Sequence, residues 1–353
     1  MISHMKNIYV CDEKKVYSFG KKSLYTVENV ILTHERCDGI IFVKKDPVFY
    51  ANISVTNNCN LSCKHCLANT TSRGHVFNEF SKNEIIDFVR QLHLQGLSNI
   101  SITGGEPFLC KNIFIWLEEL KRYSIDTKIS TNGTLLDKAM VDSLVKYDNL
   151  TEMDISINGG LDDSEIFYSG GNSIPQKIKN VNYLLSKNKY SDIFMSSVLS
   201  KTVLYSLEEI EKIISKTMIS TWKLKDIHIP YDKVELVPNE IIPTKAEVIE
   251  VLTQFLSQKH HLNIIGYLVD SIKSKTKPSR CENHGQRGFY ISHTGEVLWM
   301  HSFDIKLGNL YKDSIPELAA NLTDAIDANP VPIRCQKCAS RFACFKSPYD
   351  IEV

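Results

Sequence analysis

The sequence predicts an α/β fold: a partial (β/α)6 barrel of the TIM type, preceded by a short β-rich element and followed by a smaller cysteine-bearing domain. Three observations predict it. Short apolar runs alternate six times with longer segments whose apolar residues recur at three- and four-residue spacing, the signatures of strands and amphipathic helices. Strands that alternate with helices form a parallel sheet with helical crossovers, closed or partly closed as a barrel. The rhythm then stops near residue 230, where Pro230, Pro238, Pro243 and Pro278 and the lysine-rich stretch 273–277 punctuate the chain.

Taken in order, residues 1–5 read as a cloning scar, and residues 6–48 mix short β-forming stretches (Ile8-Tyr9-Val10, Val16-Tyr17, Ile40-Ile41-Phe42-Val43) with turn signals at Gly20, Asp38-Gly39 and Asp46-Pro47. The barrel occupies 49–232. Its strands are expected at 50–55, 99–103, 126–131, 151–157, 193–199 and 222–229, and its helices near 81–95, 112–123, 135–147, 175–188 and 206–217. Ile85, Ile86, Phe88, Val89 and Leu92 show the helical spacing in the first of these. The remainder, 233–353, holds a helix at about 244–259, a hairpin over 288–300 turning at His293-Thr294-Gly295, and a short helix at 314–322 before a cysteine-rich tail.

Composition narrows the function. Hydrophobic residues make up 43% of the 353 and charged residues 23%, which are globular proportions. Forty-one basic residues balance 41 acidic ones, so no global positive field exists to hold nucleic acid or an anionic membrane. No apolar run approaches the ~20 residues of a spanning helix, and the first residues lack the order of a signal peptide, so a cytoplasmic protein is expected.

Ten cysteines in such a compartment point to metal ligation before disulfides. Cys59, Cys63 and Cys66 form a C-x3-C-x2-C loop directly after the first barrel strand. Three thiolates can wrap one face of an iron–sulfur cube and leave its fourth iron open, whereas structural zinc closes its shell with four ligands. His65 is a fourth zinc donor only if it turns away from its neighbours.

Together with Gly104-Gly105-Glu106-Pro107 after the second strand, this loop resembles the radical S-adenosylmethionine superfamily over about residues 50–230. One departure is His65, where that family most often has an aromatic residue. The resemblance implies a 4Fe-4S cluster on the three thiols whose open iron binds the amino nitrogen and carboxylate of S-adenosylmethionine. The reduced cluster would cleave the sulfonium to give a 5′-deoxyadenosyl radical. Gly104, Gly105, Glu106 and Pro107 resemble the loop that contacts the methionine amino group, with Glu106 as an anionic acceptor opposite an ammonium. Ser130 and Asn132 at the end of strand three, and Ser156 at the end of strand four, are candidates for the ribose hydroxyls and the carboxylate; Asn-Gly is also a common turn pair. Val198 and the His228-Ile229-Pro230 segment are candidates for adenine packing, or alternatively strand termination.

In the tail, Cys335, Cys338 and Cys344 form C-x2-C-x5-C, with Cys281 upstream of the hairpin. With Gly295 and Leu307-Gly308-Asn309-Leu310, this is similar to a SPASM domain, reduced to a twitch-like form because Met300 and Pro348 stand where further cysteines would fall. Seven cysteines outside the trio are too few for two fully cysteine-ligated auxiliary clusters, and four of them imply a second, auxiliary 4Fe-4S cluster. The same four thiols satisfy a zinc knuckle equally well by count. Cys11, Cys37 and Cys110 read as free thiols, and Cys110, three residues beyond Pro107, is also a candidate hydrogen-atom donor. Tyr290, His284, Arg287 and His301 flank the auxiliary site.

Proteins that this architecture resembles most often modify peptides, either ribosomally made precursors or protein side chains, by crosslinking, epimerisation or oxidation, and a ribosomally made peptide is the leading expectation. Implied partners are a peptide substrate, a reductant such as flavodoxin or ferredoxin, and a separate leader-recognition protein. A second possibility is dehydrogenation or rearrangement of a small molecule such as an aminocyclitol or sugar. A third is a non-catalytic iron–sulfur or zinc protein.

Overall fold

The computed structural model describes residues 8–10, 15–17, 31–37, 40–44, 50–66, 79–160, 170, 173–187, 192–227, 238–274, 288–299 and 305–328. At the N-terminus, β1 (Ile8–Val10) pairs antiparallel with β2 (Lys15–Tyr17), and β3 (Ile31–Cys37) with β4 (Ile40–Lys44). Three of these four strands coincide with the expected stretches. The run Ile-Leu-Thr-His-Glu-Arg-Cys of β3 escaped expectation because its charged residues interrupt the apolar pattern.

The six barrel strands follow as β5 (Tyr50–Ser54), β6 (Asn99–Thr103), β7 (Asp126–Thr131), β8 (Leu150–Ser156), β9 (Asp192–Val198) and β10 (Thr221–Lys225). They lie side by side in chain order and every pairing is parallel. The crossovers carry α1 (Lys82–Leu94), α2 (Ile113–Arg122), α3 (Lys138–Leu144), α4 (Ile174–Ser186), the short α5 (Lys201–Leu204) and α6 (Leu207–Ile214). Helix α1 begins at a capping box: the Ser81 side chain accepts from the Glu84 N–H, while the Glu84 carboxylate accepts from the Ser81 N–H at 2.7 Å. Asp137 caps α3 through the Met140 N–H, which starts that helix three residues later than its apolar spacing predicts.

Two further strands lengthen the parallel array. After α7 (Lys245–Leu256), β11 (Asn263–Ile265) adds beside β10, followed by α8 (Tyr267–Ser274). The expected hairpin is present as β12 (Gly288–Ile291) and β13 (Glu296–Trp299), and β12 lies parallel to β5. An antiparallel β14 (Lys306–Asn309) and α9 (Ile315–Ala328) complete the order β11-β10-β9-β8-β7-β6-β5-β12-β13-β14. Eight consecutive strands of this sheet are therefore parallel, six of them the expected ones.

The strands alternate in character with period two. Ala51, Ile53, Ile100, Ile102, Ile129, Met153, Ile155, Met195 and Trp222 are wholly buried in the hydrophobic core. Trp222 meets Phe255 of α7 edge-on at 6.0 Å, which identifies this as the helix-covered face. The opposite, concave face is polar, with Asn52, Ser101, Lys128 and Glu152 in cross-strand register.

Candidate active site

All parallel strands end at one rim, and there the segment after β5 carries the cysteine trio. Its backbone zips onto the loop after β6: Val55 N–H donates to Thr103 O at 3.0 Å, Gly105 N–H to Thr56 O at 2.7 Å and Glu106 N–H to Asn58 O at 2.7 Å. This close approach requires glycine. A Cβ on Gly104 would lie 2.5 Å from Thr56 O, and one on Gly105 2.6 Å from the Asn58 carbonyl carbon. Both glycines thus shape the cysteine loop.

Cys59, Cys63 and Cys66 are in no disulfide and are half-buried. The loop turns with Cys66 N–H donating to Cys63 O at 3.1 Å, and Leu61 N–H points at Cys59 Sγ at 3.4 Å. Burial pushes the Cys59 thiol above its ordinary range; the Leu61 and Asn132 hydrogen bonds oppose that rise, and the charges of Glu106 and Cys66 add to it.

Glu106 is the knot of the rim. Its carboxylate has no exposed surface. Oε1 accepts from Thr131 Oγ1 at 2.7 Å and from Phe108 N–H at 3.3 Å, and Oε2 accepts from Asn132 N–H at 2.8 Å. Burial raises its pKa, against the hydrogen bonds and the charge of Lys177, itself buried on α4. Asn132 extends the network: Nδ2 donates to Asn60 Oδ1 at 2.9 Å, while Oδ1 accepts from Thr134 N–H at 2.9 Å. Asn60 Nδ2 returns to Thr134 Oγ1 at 2.8 Å. The loops after β5, β6 and β7 are tied into one piece, with Pro107 buried at the head of the short turn 107–109.

Ser130, Ser156 and Val198 are half-buried and share the concave face. Their cross-strand partners are Asp154, Ser196 and Lys225. Asp154 accepts from Ser196 Oγ at 2.5 Å and is paired with Lys225 Nζ. Asn158 Oδ1 accepts from Val198 N–H at 2.8 Å, fixing the start of the loop after β9. Lower on the same face, Lys128 and Glu152 pair at 2.9 Å. Desolvation lowers the His65 imidazole to about 4, with the charge of Lys225 acting in the same sense. Burial likewise pushes Tyr290 up to about 12, with Cys66 adding to the rise. His65 and Cys66 of the cysteine loop thus lie close enough to Lys225 of β10 and Tyr290 of β12 for their charges to be felt.

Sequence reasoning missed Lys128, Glu152, Ser196, Lys223 and Lys225 because the strands were read as apolar runs. The signal was the polar–apolar alternation inside each, as in Thr-Trp-Lys-Leu-Lys of β10. Cys110 is 4% exposed in the apolar core, and burial pushes its thiol up to about 12. Cys281, Cys335, Cys338 and Cys344, with Cys11, His228, His284, Arg287 and His301, lie outside the described residues.

The donor set suits a cube. Three thiols stand on one turn at the rim, one already accepting an N–H bond. Among the described residues no three His, Cys, Asp or Glu side chains are arranged to hold a single metal ion. A cube gives each thiolate its own iron, so its ligands need not share a centre.

Residues 53–203 match the model of the Radical SAM superfamily. The GTP 3′,8-cyclase of Helicobacter pylori strain 26695 is 27% identical over 170 residues, 45% of this chain and 51% of that protein. The GTP 3′,8-cyclase of Campylobacter jejuni strain RM1221 is 35% identical over 112 residues, 31% of this chain and 34% of that protein. The chain thus spans about half or less of the length of the curated relatives it matches. Streptococcus suis SuiB bound to precursor peptide SuiA superposes with a TM-score of 0.62 at 16% identity, covering 86% of this chain and 76% of that one. Native anSMEcpe with bound AdoMet gives 0.64 at 16%, covering 86% and 94%. These likenesses show a shared fold. The stretch that matches the Radical SAM superfamily model, residues 53–203, contains the cysteine loop and the glycine-glutamate rim.

Proposed function

We propose that the chain is a radical SAM enzyme that reductively cleaves S-adenosylmethionine and abstracts a hydrogen atom from a ribosomally made peptide. The observation that carries this reading is the convergence of the cysteine loop, Glu106, Asn132, Ser130 and Ser156 on one rim of the parallel strands. Cys59, Cys63 and Cys66 would hold the 4Fe-4S cluster, which when bound supplies the electron that breaks the sulfonium bond. Gly104, Gly105 and Pro107 shape the rim, and Glu106 holds Thr131 and Asn132 in place. Ser130, Asn132, Ser156 and Val198 would surround S-adenosylmethionine. A peptide substrate draws support from SuiB, solved with its precursor peptide, and from anSMEcpe, solved with a Cp18Cys peptide. Cys281, Cys335, Cys338 and Cys344 would carry the auxiliary cluster, and a flavodoxin or ferredoxin would deliver electrons. A separate leader-recognition protein would present the peptide to the N-terminal β element.

A small-molecule substrate is the second reading, favoured by the names of the curated relatives, GTP 3′,8-cyclase. Anaerobic reconstitution tests the first. The protein should bind about eight iron, two cubes per chain, and form 5′-deoxyadenosine with dithionite and S-adenosylmethionine, and Cys63→Ala should abolish that product. About four iron with stoichiometric zinc would remove the auxiliary cluster, and no 5′-deoxyadenosine would remove the enzyme.

A further inference from the structure

Among the described residues, the strands of the concave face under the rim carry three lysines in two different situations. Lys128 pairs with Glu152 at 2.9 Å and Lys225 pairs with Asp154, so their charges are matched on the same face. Lys223 stands between them in height, with Ser196 as its cross-strand partner on β9 and Ser156 beyond on β8. Among the described residues no carboxylate lies within ion-pair distance of it. Its ammonium instead sits over the buried Phe194 ring, 5.5 Å from the centroid. A ring face holds and orients a lysine stem but leaves its N–H donors free for an oxyanion. Phe194, 8% exposed, excludes water from one side, which strengthens any charge pair formed there.

We propose that Lys223 anchors a single carboxylate of the substrate, an aspartate or glutamate side chain or a terminal carboxylate of the peptide, beside the S-adenosylmethionine site. The assignment rests on the radical SAM reading above and names the chemistry of its substrate. Lys223, without a carboxylate partner among the described residues, balances one negative charge. A nucleoside triphosphate carries several, and the other two lysines of this face are already neutralised, so a monoanionic group fits and a polyphosphate does not.

Amine labelling of the cluster-loaded, full-length protein followed by peptide mapping tests this without knowledge of the natural substrate. The probes are N-acetyl-Ala-Glu-Ala-amide, its Gln analogue, GTP and S-adenosylmethionine. The glutamate peptide should slow labelling of Lys223 several-fold, and the glutamine peptide should not. Labelling of Lys225, tethered to Asp154, should change less. A Lys223→Gln variant with unchanged cluster absorption should bind both peptides equally, and Lys223→Arg should restore the preference for glutamate. Equal effects of the two peptides would overturn the proposal, as would stronger protection by GTP or full protection by S-adenosylmethionine alone. Because 5′-deoxyadenosine formation is read separately, loss of the Lys223 preference with that product intact rejects only this inference.

Discussion

On the helix-covered side of the barrel, Ile53, Ile102, Ile129, Met153 and Met195 stand on successive strands with no exposed surface; one residue later on each strand the concave side presents Ser54, Thr103, Ser130, Asp154 and Ser196. One period-two pattern thus separates two jobs. The first row excludes water and holds the sheet to its helices, while the second row carries hydroxyls and charges toward the rim. A slip of one residue would exchange the rows, so the packing of the apolar face fixes the register that assembles the site. The difference also predicts that substitutions on the two faces fail in different ways.

The largest effect belongs to the apolar face. Trp222→Ala removes a wholly buried ring that packs on Phe255 and donates to Ser197 Oγ at 2.9 Å, and should cost about 3–5 kcal/mol in denaturant unfolding. Gly105→Ala at the rim comes next. Its methyl would press on Asn58, with the Asn57 carbonyl oxygen 2.7 Å away, for about 1–3 kcal/mol of overpacking and poor cluster retention by iron analysis. Cys110 supplies a pH test. Its folded pKa is raised by burial to about 12 from an ordinary 9.0, so the unfolded chain loses this proton first, and stability present below pH 9 should fall as pH rises toward 12. Cys110→Ala should flatten that alkaline limb, and the native thiol should resist iodoacetamide at pH 8. The smallest effect lies on the concave face: Lys128→Met breaks a half-exposed pair with Glu152 and should change stability by less than ~1 kcal/mol. A concave-face substitution that unfolds the protein as Trp222→Ala does would break the division of labour.

Much of this was legible in the sequence. Six strands and their helices stood out because period-two and period-3.6 patterns are local properties. The cysteine loop and Gly104-Gly105-Glu106-Pro107 stood out because spacing survives without coordinates. The missed elements are those whose cause is not local. The three residues of β11 make too short a run to separate from a loop, β14 contains Gly308 with φ 148°, and α8 ends at Ser274, just inside the lysine-rich stretch that reads as a linker. The role of Glu106 was visible only in part, because its partners Thr131 and Asn132, at the end of β7 and in the loop after it, lie 25 and 26 residues away. The pairs Asp154–Lys225 and Lys128–Glu152 needed the sheet register, which the sequence alone does not state.

The central claim is that three thiols at the rim hold a cube with one iron left open for S-adenosylmethionine. Electron paramagnetic resonance of the reduced, reconstituted protein measures this directly. The account predicts a [4Fe-4S]+ signal whose g-values shift when S-adenosylmethionine is added, and loss of the shifting signal in Cys59→Ala, Cys63→Ala and Cys66→Ala. A signal indifferent to S-adenosylmethionine, or a loop loaded with zinc instead of iron, would contradict it.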